Sequence, residues 1–234
     1  MGNKRNRNRP APAAQAPVAD SPRTGRYVAA AVAVLVVLAG LAWWLASPTK
    51  ASWTEAELAA LNRPYATSFG NAGAPVQIVE FLDPACETCA QFYPLVKGML
   101  RDHPGDLRLS VRLVPFHKGS DVAVRALEAA KVQGKFWDVL ERLFATQRQW
   151  IDGHTVNSER VMAMVRTLDL DYAKLEADMQ SPTVLQNVAT DMQDARTLKV
   201  TATPEYFVNG RGLPEFGYEQ LVSLVNDELK RAKR

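Results

Sequence analysis

The chain has 234 residues, 47% of them hydrophobic, which allows one or two domains with a sizeable core, and its net charge is +3. Six of its 28 Lys and Arg residues precede the first apolar run, against only Asp20 of its 25 Asp and Glu residues, so the remainder is faintly acidic. That balance argues against a nucleic-acid surface on the main body.

Residues 1–26 are rich in Pro, Ala, Asn and Arg and cannot bury a core, so they read as a disordered basic tail. Residues 27–46, "YVAAAVAVLVVLAGLAWWLA", carry no charge and would span about 30 Å as a helix, the thickness of a bilayer's hydrocarbon core. Trp43 and Trp44 close the run where interfacial aromatics belong, and the basic tail before it favours the cytoplasm. The reading is a single-pass signal anchor in the cell (inner) membrane, N-terminus cytoplasmic, main domain extracytoplasmic or periplasmic. A cleaved signal peptide is the rival, with Gly40-Leu41-Ala42 as its cleavage site.

Residues 47–73 read as a linker with one short helix, "TEAELAALN", in which Thr54 and Glu57 form a capping box. The folded domain is expected over residues 74–234. "VQIVEFL", 76–82, is a buried strand between Pro75 and Pro84. From about Cys86 to Arg101 apolar residues recur at helical spacing, with Pro94 inside. "LRLSVRLVPF" alternates Leu107, Leu109, Val111 and Leu113 against Arg108, Ser110 and Arg112, the pattern of a half-buried strand. Residues 120–198 show helical periodicity in five blocks and no strand. Ser158 and Asp171 read as N-caps; Gly134 and Gly153 read as breaks. "EYFVNG", 205–210, is a strand closing on the hairpin signal Asn209-Gly210, and Tyr218 to Arg231 is a terminal amphipathic helix. The order implies an α/β sheet with a large helical insertion.

The chain has 2 cysteines, Cys86 and Cys89. A Cys-x-x-Cys staple closes too small a loop to stabilise much. A structural zinc site wants four ligands, and His103, His117 and His154 show no ligand spacing. A two-thiolate Cu(I) site is chemically possible. The redox reading uses the setting: Cys86 falls at a helix N-terminus, where free N–H groups and the macrodipole favour a thiolate. Cys86 is then the attacking thiol and Cys89 the resolving one. Glu80, an acid within a mostly apolar strand, would have a raised pKa if buried and could carry a proton for Cys89.

"APVQIVEFLDPACETC", "PFH" and "TATPEYFVNG" resemble the DsbA-like branch of the thioredoxin superfamily, extracytoplasmic thiol–disulfide oxidoreductases, over roughly residues 66–231. The resemblance implies a thioredoxin fold with a helical insertion at about 120–198 and no cofactor. It implies that Pro204 is cis, that Thr203 lies beside Cys86, and that the backbone of Thr203 and Pro204 pairs with a bound substrate strand. Cysteine-containing extracytoplasmic client proteins and a membrane redox partner follow as partners. Glu87-Thr88 departs from the Pro-His of the strong oxidants. Glu87 brings a like charge that should raise the Cys86 pKa, for a potential on the order of −150 to −250 mV. Glu205, after Pro204, is either a second acid near the groove or a solvated strand-edge charge. His117 and the helical methionines read as structural. A disulfide reductase or isomerase kept reduced by a membrane electron donor, and a non-enzymatic Cu(I)-binding module, are the alternative uses of the pair. The isomerase ranks lower because residues 47–73 leave little room for a dimerisation domain.

Overall fold

The structure, a computed structural model, describes residues 53–234. The tail over 1–26 and the anchor over 27–46 lie outside them. Among the described residues no helix is long and apolar enough to cross a membrane.

The described residues open with α1 (Glu55–Leu61), then β1 (Thr67–Gly70), β2 (Val76–Leu82), α2 (Glu87–Asp102) and β3 (Leu107–Leu113). The insertion follows: α3 (Asp121–Val132), α4 (Phe136–Ala145), α5 (Gln147–Trp150), β4 (Ile151–Asp152), β5 (Thr155–Val156), α6 (Ser158–Val165), α7 (Tyr172–Asp178) and α8 (Pro182–Thr197). It closes with β6 (Glu205–Val208), β7 (Arg211–Gly212) and α9 (Tyr218–Ala232). Five strands form one sheet in the order β1–β3–β2–β6–β7. β2 and β3 run parallel, with α2 as the connecting helix such a pair needs. The other pairings are antiparallel.

Period-two alternation sends β2 and β3 side chains to opposite faces. Ile78, Leu82, Leu107, Leu109, Val111 and Leu113 enter the larger core with α2, α9 and the insertion. Val79 and Phe81 enter a second core with Ala60, Leu61, Ala195 and Phe207. Asn209 and Gly210 both take positive φ, 47° and 79°, as the turn from β6 to β7 requires. Thr54 and Glu57 make the expected capping box.

Four sequence expectations change. β3 is not half-buried: Ser110 and Arg112 are buried on the face expected to meet solvent, because α1 and α8 cover it. Residues 47–73 are not merely a linker with a helix, because β1 lies within them and pairs with β3 from Thr67↔Val111 to Gly70↔Arg108. That pairing occupies an edge of β3 that would otherwise present unpaired backbone groups. The insertion holds a two-stranded hairpin, β4–β5, turned through Gly153 at φ 64°, a conformation glycine adopts without steric cost. Finally, Asn157 rather than Ser158 caps α6; its side chain accepts the Arg160 N–H.

The covered face buries an ion cluster. Arg112 is 0% exposed. Its Nε donates to Asp191 Oδ1 at 2.8 Å and its terminal nitrogens reach Asp191, Asp194 and the Ala60 carbonyl. Asp191 also accepts from the Tyr65 hydroxyl at 2.6 Å and the Leu113 N–H at 2.7 Å. Arg63 closes on Asp194 with two 2.7 Å bonds.

Candidate active site

The site forms where β2 ends and α2 begins. Asp83, 0% exposed, organises the turn between them. One carboxylate oxygen accepts the Ala85 N–H at 2.9 Å. The other accepts the His117 N–H at 2.8 Å and the Ser120 hydroxyl at 3.0 Å, and lies 2.9 Å from His117 Nδ1. Cys86 N donates to the Asp83 carbonyl at 3.0 Å. The turn is therefore tied to the loop after β3, and His117 has a structural task there.

Cys86 is the N-cap of α2, and the helix proper starts one residue later than expected, at Glu87. Its sulfur accepts the Cys89 N–H at 3.4 Å and lies 3.2 Å from the Thr203 carbonyl. The Thr203–Pro204 bond is cis. The Cys86 thiol is pulled down to about 6, first by the hydrogen bond from the Cys89 thiol, then by Thr203 and the N–H groups of Cys89 and Thr88, against burial. Glu87 is exposed, where water screens the upward push expected of its charge. A value of about 6 lies between roughly 7 for thioredoxin and roughly 3.5 for the strongest oxidant of the superfamily.

Cys89 is 0% exposed, one helical turn inside. Burial pushes its thiol well up, helped by its bond to Cys86 and by the Glu80 charge. Both cysteines are free thiols. Glu80 does not reach the solvent. It is 0% exposed, pairs with Val111 and Tyr206 in register, and lies on the face of the sheet that holds the larger core. One carboxylate oxygen accepts the Tyr206 hydroxyl at 3.0 Å; the other has no partner. Burial raises its pKa to about 8, opposed by the Tyr206 bond and assisted by Cys86.

A cavity of about 510 Å3 opens beside Cys86, walled by Phe116, His117, Ile151, His154 and Thr203 among others. Glu205 is not in its lining; burial raises its pKa. Among the described residues no group of three or more His, Cys, Asp or Glu side chains could hold a metal ion. The structure thus brings Cys86, Cys89, Glu80 and Thr203 together. Sequence reasoning missed Asp83 and Gln147. Asp83 carried a local signal, an Asp-Pro turn dipeptide. Gln147 carried none; its side-chain nitrogen donates to the carbonyls of Pro84 at 2.9 Å and Cys86 at 3.0 Å.

A family profile described as thioredoxin matches residues 62–227. A thioredoxin-like oxidoreductase from Silicibacter pomeroyi is 31% identical, with TM-score 0.63, over 75% of this chain and 96% of that one. Oxidised BdbD from Bacillus subtilis is 27% identical, with TM-score 0.62, over 71% and 94%. The α-DsbA1 of Wolbachia pipientis shares the fold with TM-score 0.65 at 17% identity, over 77% of this chain and 98% of that one. The Na+/H+ antiporter NhaA of Herminiimonas arsenicoxydans is 31% identical over 218 residues, 90% of this chain. This chain spans only 34% of that antiporter's length. The chain belongs to the thioredoxin family and has a DsbA-type fold.

Proposed function

We propose that the protein exchanges disulfides with cysteine-containing client proteins outside the cytoplasm through Cys86 and Cys89. The observation that carries this reading is the opposed environment of two neighbouring thiols. One sits at a helix N-terminus beside an open cavity and ionises near 6; the other is sealed and held protonated. In the oxidising direction a client thiolate attacks the Cys86 sulfur of the Cys86–Cys89 disulfide, and that S–S bond breaks. Cys89 leaves as a thiolate and takes a proton from Glu80, which is largely protonated at neutral pH. The second client thiolate then attacks the client sulfur of the mixed disulfide and expels Cys86 as a stable thiolate. The client loses two electrons and two protons; the enzyme keeps both electrons and one proton, which restores the acid form of Glu80, and the other proton goes to solvent. The backbone at Thr203 and Pro204 would pair with the client strand. Stabilising the reduced thiolate makes the disulfide more oxidising, and the intermediate value at Cys86 supports a potential on the order of −150 to −250 mV.

Residues 27–46 would anchor this domain to the membrane with the N-terminus in the cytoplasm, close to a membrane redox partner. The test is a Cys89→Ser variant offered a reduced client. Mixed disulfides through Cys86, released by dithiothreitol, should accumulate. If none form, disulfide exchange is not the activity.

A further inference from the structure

The Pro84–Ala85–Cys86 turn is held from two sides. Asp83 holds it from the end of the sheet through the Ala85 N–H. Gln147 holds it from the insertion, spending both hydrogens of its side-chain amide on the carbonyls of Pro84 and Cys86. Gln147 is buried, 8% exposed, on a firmly seated support. Trp150, three residues on, is fully buried, with its indole N–H on the Leu143 carbonyl at 3.0 Å. The Trp150 carbonyl accepts the Asn157 N–H at 2.9 Å. The next residue, Ile151, starts the β4–β5 hairpin, which lines the same cavity as Cys86.

We propose that Gln147 is a positioning residue for the redox thiol, setting how well Cys86 is stabilised as a thiolate and fixing the redox turn against the hairpin wall of the cavity. Two physical effects follow from its geometry. First, the Cys86 sulfur meets the Cys89 N–H at 3.4 Å, so a small tilt of the turn weakens a donor the thiolate needs. Second, the Cys86 carbonyl, which also accepts the Ala90 N–H, presents negative charge close to its own sulfur. The amide of Gln147 draws that charge away from the thiolate, in a buried setting where such polarisation is strongest. Without Gln147 the turn keeps Asp83 but loses both bonds from α5.

This inference rests on the exchange reading, but it can fail or hold separately. The measurement is the pH dependence of Cys86 alkylation by iodoacetamide in the reduced full-length protein, where Cys89 stays protonated. The exchange equilibrium with glutathione is measured in parallel. Gln147→Leu removes both donors and keeps the bulk. It should move the Cys86 midpoint up by roughly half a unit to one unit. It should also make the disulfide roughly two- to sixfold less oxidising against glutathione at pH 7. Gln147→Glu keeps the shape, gives a second reading should the Leu variant not fold, and should move the midpoint further up by placing a carboxylate near the thiolate. Val139→Ala in α4 opens a cavity in the same insertion, lowers thermal stability and should leave the midpoint where it is. If Gln147→Leu lowers thermal stability as Val139→Ala does and leaves the midpoint and the equilibrium unchanged, Gln147 is a strut only and the proposal is overturned. If the wild type exchanges no disulfide but the midpoint still moves, the positioning role stands and the exchange reading falls.

Discussion

The two faces of one sheet each bury an ionisable side chain, and they treat it in opposite ways. On the face covered by α1 and α8, Arg112 is surrounded by Asp191, Asp194, the Ala60 carbonyl and Tyr65. On the face covered by α2, Glu80 has one hydrogen bond and one bare oxygen. The saturated charge is fixed: desolvation is outweighed by its attraction to two carboxylates, and its pKa stays raised. The under-satisfied one is poised, because a carboxyl with little to favour its ionised form holds a proton into the neutral range. A charge built for stability is paired to completion. A charge suited to moving protons is left one partner short.

The comparison can be broken most forcefully at Arg112. Arg112→Ala leaves buried Asp191 without its cation, while Asp194 keeps Arg63, and should cost about 3–5 kcal/mol, measured by urea denaturation. Exchange activity per folded molecule should hardly change; a large loss there would link the ion cluster to the chemistry. Glu80→Gln should act in the other direction. Folded Glu80 releases its proton near 8, against an ordinary 4.5. Between those values the folded protein holds one proton more than the unfolded chain. The stability this provides is whole below about 4.5 and is lost as the pH rises through 8. The Gln variant should therefore match the wild type near pH 4.5 and exceed it at pH 8 and above by on the order of 2–4 kcal/mol. The same variant should slow the step in which Cys89 leaves. Equal stability curves across that range would show that Glu80 is not the poised group. Smallest of all, Glu87→Gln should move the Cys86 midpoint by less than about half a unit, since an exposed charge is screened. A larger shift, read by alkylation against pH, would restore the sequence-based expectation for that residue.

What was readable in the sequence was local. The apolar run of β2, the helical start at the cysteines, the capping box at Thr54 and the Asn209-Gly210 turn each announce themselves within a few residues. What was not readable depended on partners far along the chain. Arg108, Ser110 and Arg112 alternate as a solvent face would, and nothing near them reveals that Asp191 and Asp194 arrive from α8 to cover it. β1 is four residues long and is a strand only because β3 offers it an edge. The β4–β5 hairpin has two residues per strand, too few to show alternation. Gln147 looks like any polar helix residue until its amide is seen on the carbonyls of the redox turn. The placement of Thr203 beside Cys86 came from the resemblance to a known family of two motifs more than a hundred residues apart, not from the pattern of either one.

The insertion invites a protein engineer to excise it and recover a smaller catalyst. Its last helix, α8, argues against that design. Asp191 and Asp194 ride on α8, so trimming back to the bare sheet would strand Arg112 in an apolar interior, and the same cut would remove Gln147 from the redox turn. A minimised version would need Arg112 and its neighbours redesigned as an apolar surface together with the deletion. The helical block is thus not a detachable module but part of the catalyst's foundation.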